Sequence, residues 1–121
     1  RLVLREDVQS IVLPGVDGFF GVLRNHAPLV AALRTGPLVY RKDGVRHRLA
    51  IAGGFFEIAD NHAVVLADAA ERADEIDVER ARRAAERARQ RLADRQGEWD
   101  FVRARAALER ALNRLRVAGA A

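Results

Sequence analysis

Cysteine and methionine are absent from these 121 residues, and lysine, serine, threonine, tryptophan and tyrosine each occur once. Without cysteine there is no disulfide framework and no thiolate metal site, and the redox compartment is left open. Hydroxyl nucleophiles reduce to Ser10 and Thr35, so covalent catalysis is not signalled. His26, His47 and His62 stand in separate segments with no HxxxH or HExxH spacing, so no metal site is expected. His47 and His62 read as solvated or turn residues, and His26 as a residue that braces its loop. No apolar run approaches the ~18 residues of a membrane span, and no charged-then-apolar leader opens the chain, so a cytoplasmic protein is expected.

Charge, in contrast, is abundant and made almost entirely of one cation. Lys42 is the only lysine among 21 basic residues, set against 17 acidic ones, for a net charge of +4. The excess lies mainly after residue 70. Such a balance permits an anionic partner without requiring one.

Two hydropathy periods divide the chain. From Leu2 to about Ala70, short β-rich runs alternate with turn residues: 2–4, 8–13, 19–23, 29–33, 37–42, 45–52, 55–59 and 62–67. Asp43-Gly44 is the dipeptide best suited to a type I′ hairpin turn, and Asp60-Asn61 separates the last two runs. Many short strands closely spaced by turns imply an antiparallel sandwich or barrel. After Glu71 the period becomes helical. Val78, Ala81, Ala85, Ala88 and Leu92 recur at three- and four-residue spacing, as do Phe101, Ala104, Leu108, Leu112 and Leu115. Gly97 between them reads as a helix C-cap, so the helices should fold back as an antiparallel pair. The predicted fold is α+β: a β-sandwich over 1–72, then a two-helix hairpin over 73–121. Alanine fills much of the helical seam and buries little area, so the hairpin should be only marginally stable alone.

Catalytic constellations are missing. Gly15, Gly18 and Gly21 do not form GxGxxG, and no GK[ST] follows, so they read as turn residues rather than a phosphate loop. The carboxylates lie mainly among arginines on the helical half, where the default is a solvated, salt-bridged face. The chain reads as non-enzymatic, with no catalytic residue and no metal ligand assigned.

One grouping points to a ligand. Asp77 is placed to cap the first helix, Arg80 lies in its first turn, and Arg87 lies two turns on at nearly the same face. Arg110 and Arg114 share a face of the second helix. Antiparallel folding about Gly97 puts Arg80 and Arg114 at comparable height, with Arg87 and Arg110 a turn nearer the loop. Converging guanidinium groups repel unless an anion joins them, and their forks match phosphate oxygens. Spacing alone favours the other reading, that these arginines pair with Glu71, Glu79, Glu86 and Glu109 on a wet surface.

Residues 15–29 (GVDGFFGVLRNHAPL), 52–81 (AGGFFEIADNHAVVLADAAERADEIDVERA) and 99–118 (WDFVRARAALERALNRLRVA) resemble, in this order, the epsilon subunit of bacterial F-type ATP synthase. The resemblance implies a β-sandwich that contacts the gamma subunit and the c-ring. It also implies a helical pair that either folds down or extends toward the alpha and beta subunits of the catalytic head, inhibiting ATP hydrolysis. ATP-sensing members carry [IL]DxxRA at the first helix, here Ile76-Asp77-Val78-Glu79-Arg80-Ala81. By resemblance, Glu71, Ile76, Asp77, Arg80, Ala81, Arg87, Arg110 and Arg114 are the expected ATP contacts, with magnesium left open. Arg103, Arg105, Arg110, Arg114 and Arg116 are the expected inhibitory contacts.

The resemblance further implies a peripheral protein on the cytoplasmic face of the membrane, attached only through the Fo complex and without a nucleic-acid partner. Phe19 and Arg24-Asn25 depart from the family, which commonly has an acidic residue and Pro-Gly there. About one strand of family sequence is expected before Arg1, and a neighbouring strand would expose an edge without it. Two rival readings are a basic helical hairpin acting as an adaptor or binding nucleic acid, and a small hydrolase. The first would require a stronger positive stripe or stacking aromatics than Trp99 and Phe101 offer. The second is opposed by the scarcity of nucleophiles.

Overall fold

Alternation of apolar and polar side chains dictates the first half of the chain. In the computed structural model, residues 2–6, 9–94 and 97–120 are described. Val8, expected to begin the second strand, and the side chain of Trp99 lie outside the described residues. The described residues form nine strands: β1 (Leu2–Glu6), β2 (Ser10–Gly15), β3 (Gly18–Leu23), β4 (Leu29–Leu33), β5 (Gly36–Lys42), β6 (Val45–Ile51), β7 (Gly54–Ala59), β8 (His62–Ala67) and β9 (Ala70–Arg72). All pair antiparallel, in the order β1-β8-β7-β4-β2-β5-β6-β9, with β3 paired to β2.

Strand β2 joins the halves of this sandwich. Its N-terminal part pairs with β5 through Ser10, Ile11 and Val12, whereas its last residue, Gly15, pairs with Leu33 of β4. The core lies between the two inner faces. Ile11, Leu13, Leu38, Ile51, Phe56 and Val65 are each at most 1% exposed and belong to one cluster drawn from both halves. Phe20 tilts against Phe56 with ring centroids 5.9 Å apart, an edge-biased arrangement favoured by the ring quadrupoles.

The tight turns use left-handed backbone. Asp43 and Gly44 have φ 52° and 75°, and Asp60 and Asn61 have φ 50° and 64°. Positive φ at both central residues is the type I′ requirement, matching strand twist. Asn61 also accepts from the Asn25 backbone N–H at 2.6 Å and donates to Asn25 Oδ1 at 3.2 Å, clasping the β7–β8 turn to the β3–β4 loop. In that loop, His26 Nδ1 lies 2.6 Å from Ala27 O. Phe19, one of the departures from the family, lies beneath the Arg34 guanidinium, 4.9 Å from its ring centroid.

His47 corrects the expectation of a solvated or turn residue. It is half-buried in mid-strand and stacks on Tyr40 at 4.7 Å, because β5–β6 register sets the two rings directly opposite each other. The short strand β9 and the 3-10 turn at Ala73–Glu75 were not anticipated.

The chain divides into two units, Arg1–Arg72 and Ala73–Ala121. The second contains α1 (Val78–Ala93) and α2 (Glu98–Val117). Ala81, Ala85, Ala111 and Leu115 form the buried seam between them, flanked by Val78, Leu108 and Leu112. Gly97 is the N-cap of α2, in extended conformation at φ −176°, and not the C-cap of α1. Asp94 takes that place, donating to Gln90 O. Glycine suits both kinds of cap, so composition alone could not separate them. α2 ends in a Schellman arrangement in which Gly119 N–H donates to Arg116 O and Ala120 N–H to Leu115 O, with Gly119 at φ 79°.

Two substitutions test this account of the sheet. Phe56→Ala should cost about 3–5 kcal/mol by removing the central aromatic. Gly54→Ala should also destabilise, because φ is 131° there and a Cβ would collide with the Leu66 carbonyl oxygen. Urea titration of the full chain should show both midpoints lowered, while Val30→Thr, at a position 68% exposed, leaves the midpoint nearly unchanged.

Candidate ligand groove on the helical hairpin

The helical unit presents its charges because its interior is made of small side chains. Alanine fills the seam between α1 and α2, and arginines stand on the flanks of both helices. Asp77 starts the arrangement. It is extended at φ −78°, ψ 100°, and its Oδ1 accepts from the Arg80 backbone N–H at 3.1 Å. A carboxylate there satisfies an orphan amide and faces the positive end of the helix dipole.

Beside the seam lies an open groove of about 890 Å³ lined by Arg87, Gln90, Arg91 and Asp94 from α1 and by Arg103 and Arg110, among others, from α2. Its size falls within the range of small-molecule sites. Two arginines from each helix therefore border one space, with Asp94 and Asp100 toward the inter-helix loop.

Ion pairing leaves these cations available. Glu79 pairs with Arg82 at 2.8 Å, Glu86 with Arg89 at 3.8 Å, and Glu109 with Arg105 at 3.4 Å. All six side chains are more than half exposed, so these pairs contribute little to stability. Among the described residues, Arg80, Arg87, Arg91, Arg103 and Arg110 make no ion pair. The helical glutamates are thus taken mostly by arginines outside the groove.

The other residues singled out in the sequence are distributed more widely. Ile76 is 9% exposed and Ala81 fully buried, so both serve packing, while Arg80 is exposed but does not line the groove. Arg114 is half-buried and Arg116 exposed, and both engage other groups of the chain. Glu71 lies in the sheet unit, on β9 opposite Ala50. The structure therefore brings Arg87 and Arg110 to a common space and places Arg80 and Arg114 outside it. Gln90 and Arg91 were not singled out in the sequence, and Arg103 was assigned only to another contact. Gln90 and Arg91 follow Arg87 by three and four positions, the helical spacing that could have found them.

Comparison with known proteins decides the family. The beta-sandwich domain of the ATP synthase Delta/Epsilon chain matches residues 1–73, and the long alpha-helix domain of the same chain matches residues 74–119. The chain belongs to the ATP synthase epsilon family. The ATP synthase epsilon chain of Symbiobacterium thermophilum is 54% identical over 121 residues, covering 99% of this chain and 87% of that one. The epsilon chain of Pelotomaculum thermopropionicum is 55% identical over 119 residues, covering 98% and 89% respectively.

Among solved structures, a chain in the Euglena gracilis mitochondrial ATP synthase, OSCP/F1/c-ring, superposes with a TM-score of 0.75 at 28% identity. It covers 89% of this chain and 73% of its own length. A chain from the Tetrahymena thermophila mitochondrial ATP synthase central stalk and c-ring shares the fold at a TM-score of 0.55 and 14% identity, covering 92% of this chain and 82% of its own length.

The cap gives a direct test of the hairpin's local stability. Asp77→Ala should destabilise α1 by about 1 kcal/mol, whereas Asp77→Asn keeps most of the cap. Urea unfolding followed by far-ultraviolet circular dichroism should show the early helical loss in the alanine variant only.

Proposed function

We propose that this chain is the central-stalk epsilon subunit of a bacterial proton-translocating ATP synthase, and that its helical hairpin senses ATP and restrains hydrolysis. In this reading the β-sandwich joins the gamma subunit to the c-ring, and the chain regulates the motor without turning over substrate. Family membership and similarity to a chain of an F1/c-ring assembly support the placement in the motor. No described helix is long and apolar enough to cross a membrane, which accords with a peripheral position on the cytoplasmic face, reached through Fo.

The observation that carries ATP sensing is the pair Arg87 and Arg110, contributed by different helices, bordering one groove and free of ion pairs among the described residues. Guanidinium forks complement phosphate oxygens, and an anion between the two helices relieves the repulsion of their cations. Because the pair exists only while α1 and α2 lie together, ATP favours the folded hairpin. A ligand bound only to that form stabilises it by about 2.7 kcal/mol at a hundredfold excess over Kd. This is enough to govern a hairpin whose seam is largely alanine. When ATP falls, α2 separates and extends, and Arg103, Arg105, Arg110, Arg114 and Arg116 meet acidic loops of the alpha and beta subunits. Bound magnesium would offset phosphate charge.

Calorimetric titration of the full chain should show saturable ATP binding, weakened at least tenfold by Arg87→Ala and by Arg110→Ala, a loss of about 1.4 kcal/mol each. Equal binding by both variants would place ATP elsewhere or nowhere. In the reconstituted motor, replacing Arg105 and Arg116, which lie outside the groove, together by alanine should raise hydrolysis at low ATP without altering ATP affinity of the isolated chain. Unchanged hydrolysis would remove the inhibitory role of these side chains.

A further inference from the structure

The sheet unit carries a charged surface that ATP sensing does not use. Strands β5 and β6 meet at the Asp43-Gly44 turn, and their register sets Arg41 directly opposite Arg46. Leu38, which is completely buried, and Tyr40, which packs on the core, fix the inward face of β5, so Arg41 and Arg46 share the outward one. Like charges directly opposite on neighbouring strands destabilise a sheet. Both side chains are exposed and make no ion pair among the described residues, and Asp43, the sole carboxylate in the hairpin, is held in the turn. The fold therefore tolerates a repulsive rung that no carboxylate among the described residues pairs with.

The surroundings indicate what would compensate it. On the same outward face, one step along the sheet, Val12 pairs with Val39, and Val12 is 44% exposed. Apolar side chains beside arginine are the composition of protein interfaces rather than of nucleic-acid stripes.

We propose that the outward face of β5–β6 docks an acidic polypeptide segment, whose carboxylates engage Arg41 and Arg46 and whose apolar side chains cover Val12 and Val39. Carboxylates bridge the two guanidinium groups in forked pairs and remove the repulsion. The site lies wholly within the sheet unit and is independent of the helical groove.

The test uses the full chain and a fluorescein-labelled peptide alternating glutamate with leucine, read by anisotropy. A glutamine-for-glutamate peptide and phosphatidylglycerol vesicles serve as comparison probes. Expected is saturable binding of the acidic peptide only, weakened about tenfold by Arg46→Glu and by moderate salt. Arg46→Glu should at the same time raise the melting temperature, since it turns the repulsive rung into an attractive one. Arg41→Gln with Arg46→Gln should weaken binding as well. Undiminished peptide binding by these variants overturns the proposal, as does binding of the vesicles that depends on the same two arginines while the peptide is ignored.

Discussion

The spacing of α1 and α2 is set by alanine, and most of the chain's distinctive behaviour follows from that. Ala81, Ala85 and Ala111 are at most 2% exposed, so the helices meet through methyl groups with only Leu115 adding bulk to the buried cluster. Larger side chains would hold the helices farther apart and hold them harder. The small seam has the opposite pair of effects: it draws the flanking arginines of both helices to one groove, and it leaves the pairing weakly held. The two halves of the proposed switch, anion binding and helix separation, would thus come from the same residues.

The sheet unit is built on another principle. Its core joins side chains from seven strands, and Phe56 at its centre is completely buried. Loss of any one strand would open both inner faces. Strand β2 is the most demanding position, since Ser10–Val12 and Gly15 serve different partners. Such a shared core ties the strands of the sheet unit to one another, as the proposed mount between gamma subunit and c-ring would require.

Much of this was legible in the sequence. Short β-rich runs broken by turn residues located the longer strands, and Asp43-Gly44 announced a hairpin that the backbone dihedrals confirm. The helical period located both helices and their antiparallel seam. What escaped notice had physical causes. Strand β9 is three residues, Ala-Glu-Arg, too short for any period and held only by its pairing with β6. Gly97 satisfied two capping patterns at once. Spacing on one helix placed Arg87 and, on the other, Arg110, but not the groove's full membership, because which flanks face each other depends on how the helices roll about the seam. Asn113, 4% exposed, interrupts an otherwise apolar buried set, and no apolar period could single it out. The Arg41–Arg46 rung could have been found by counting outward from the type I′ turn.

The two units also differ in how far along the chain their contacts reach. The sheet is closed by pairings such as Leu2 with Leu66, which must wait for most of the unit to be ordered, whereas every buried pairing of the hairpin seam lies within α1 and α2. Formation rate falls as the sequence separation of contacts grows, and helical elements re-form within about a microsecond. In the proposed switch the helices would thus part and rejoin many times during the lifetime of a single folded sheet. Under that proposal, a moving part placed in the quickly re-forming unit would spare the chain its slow folding step at each change of state.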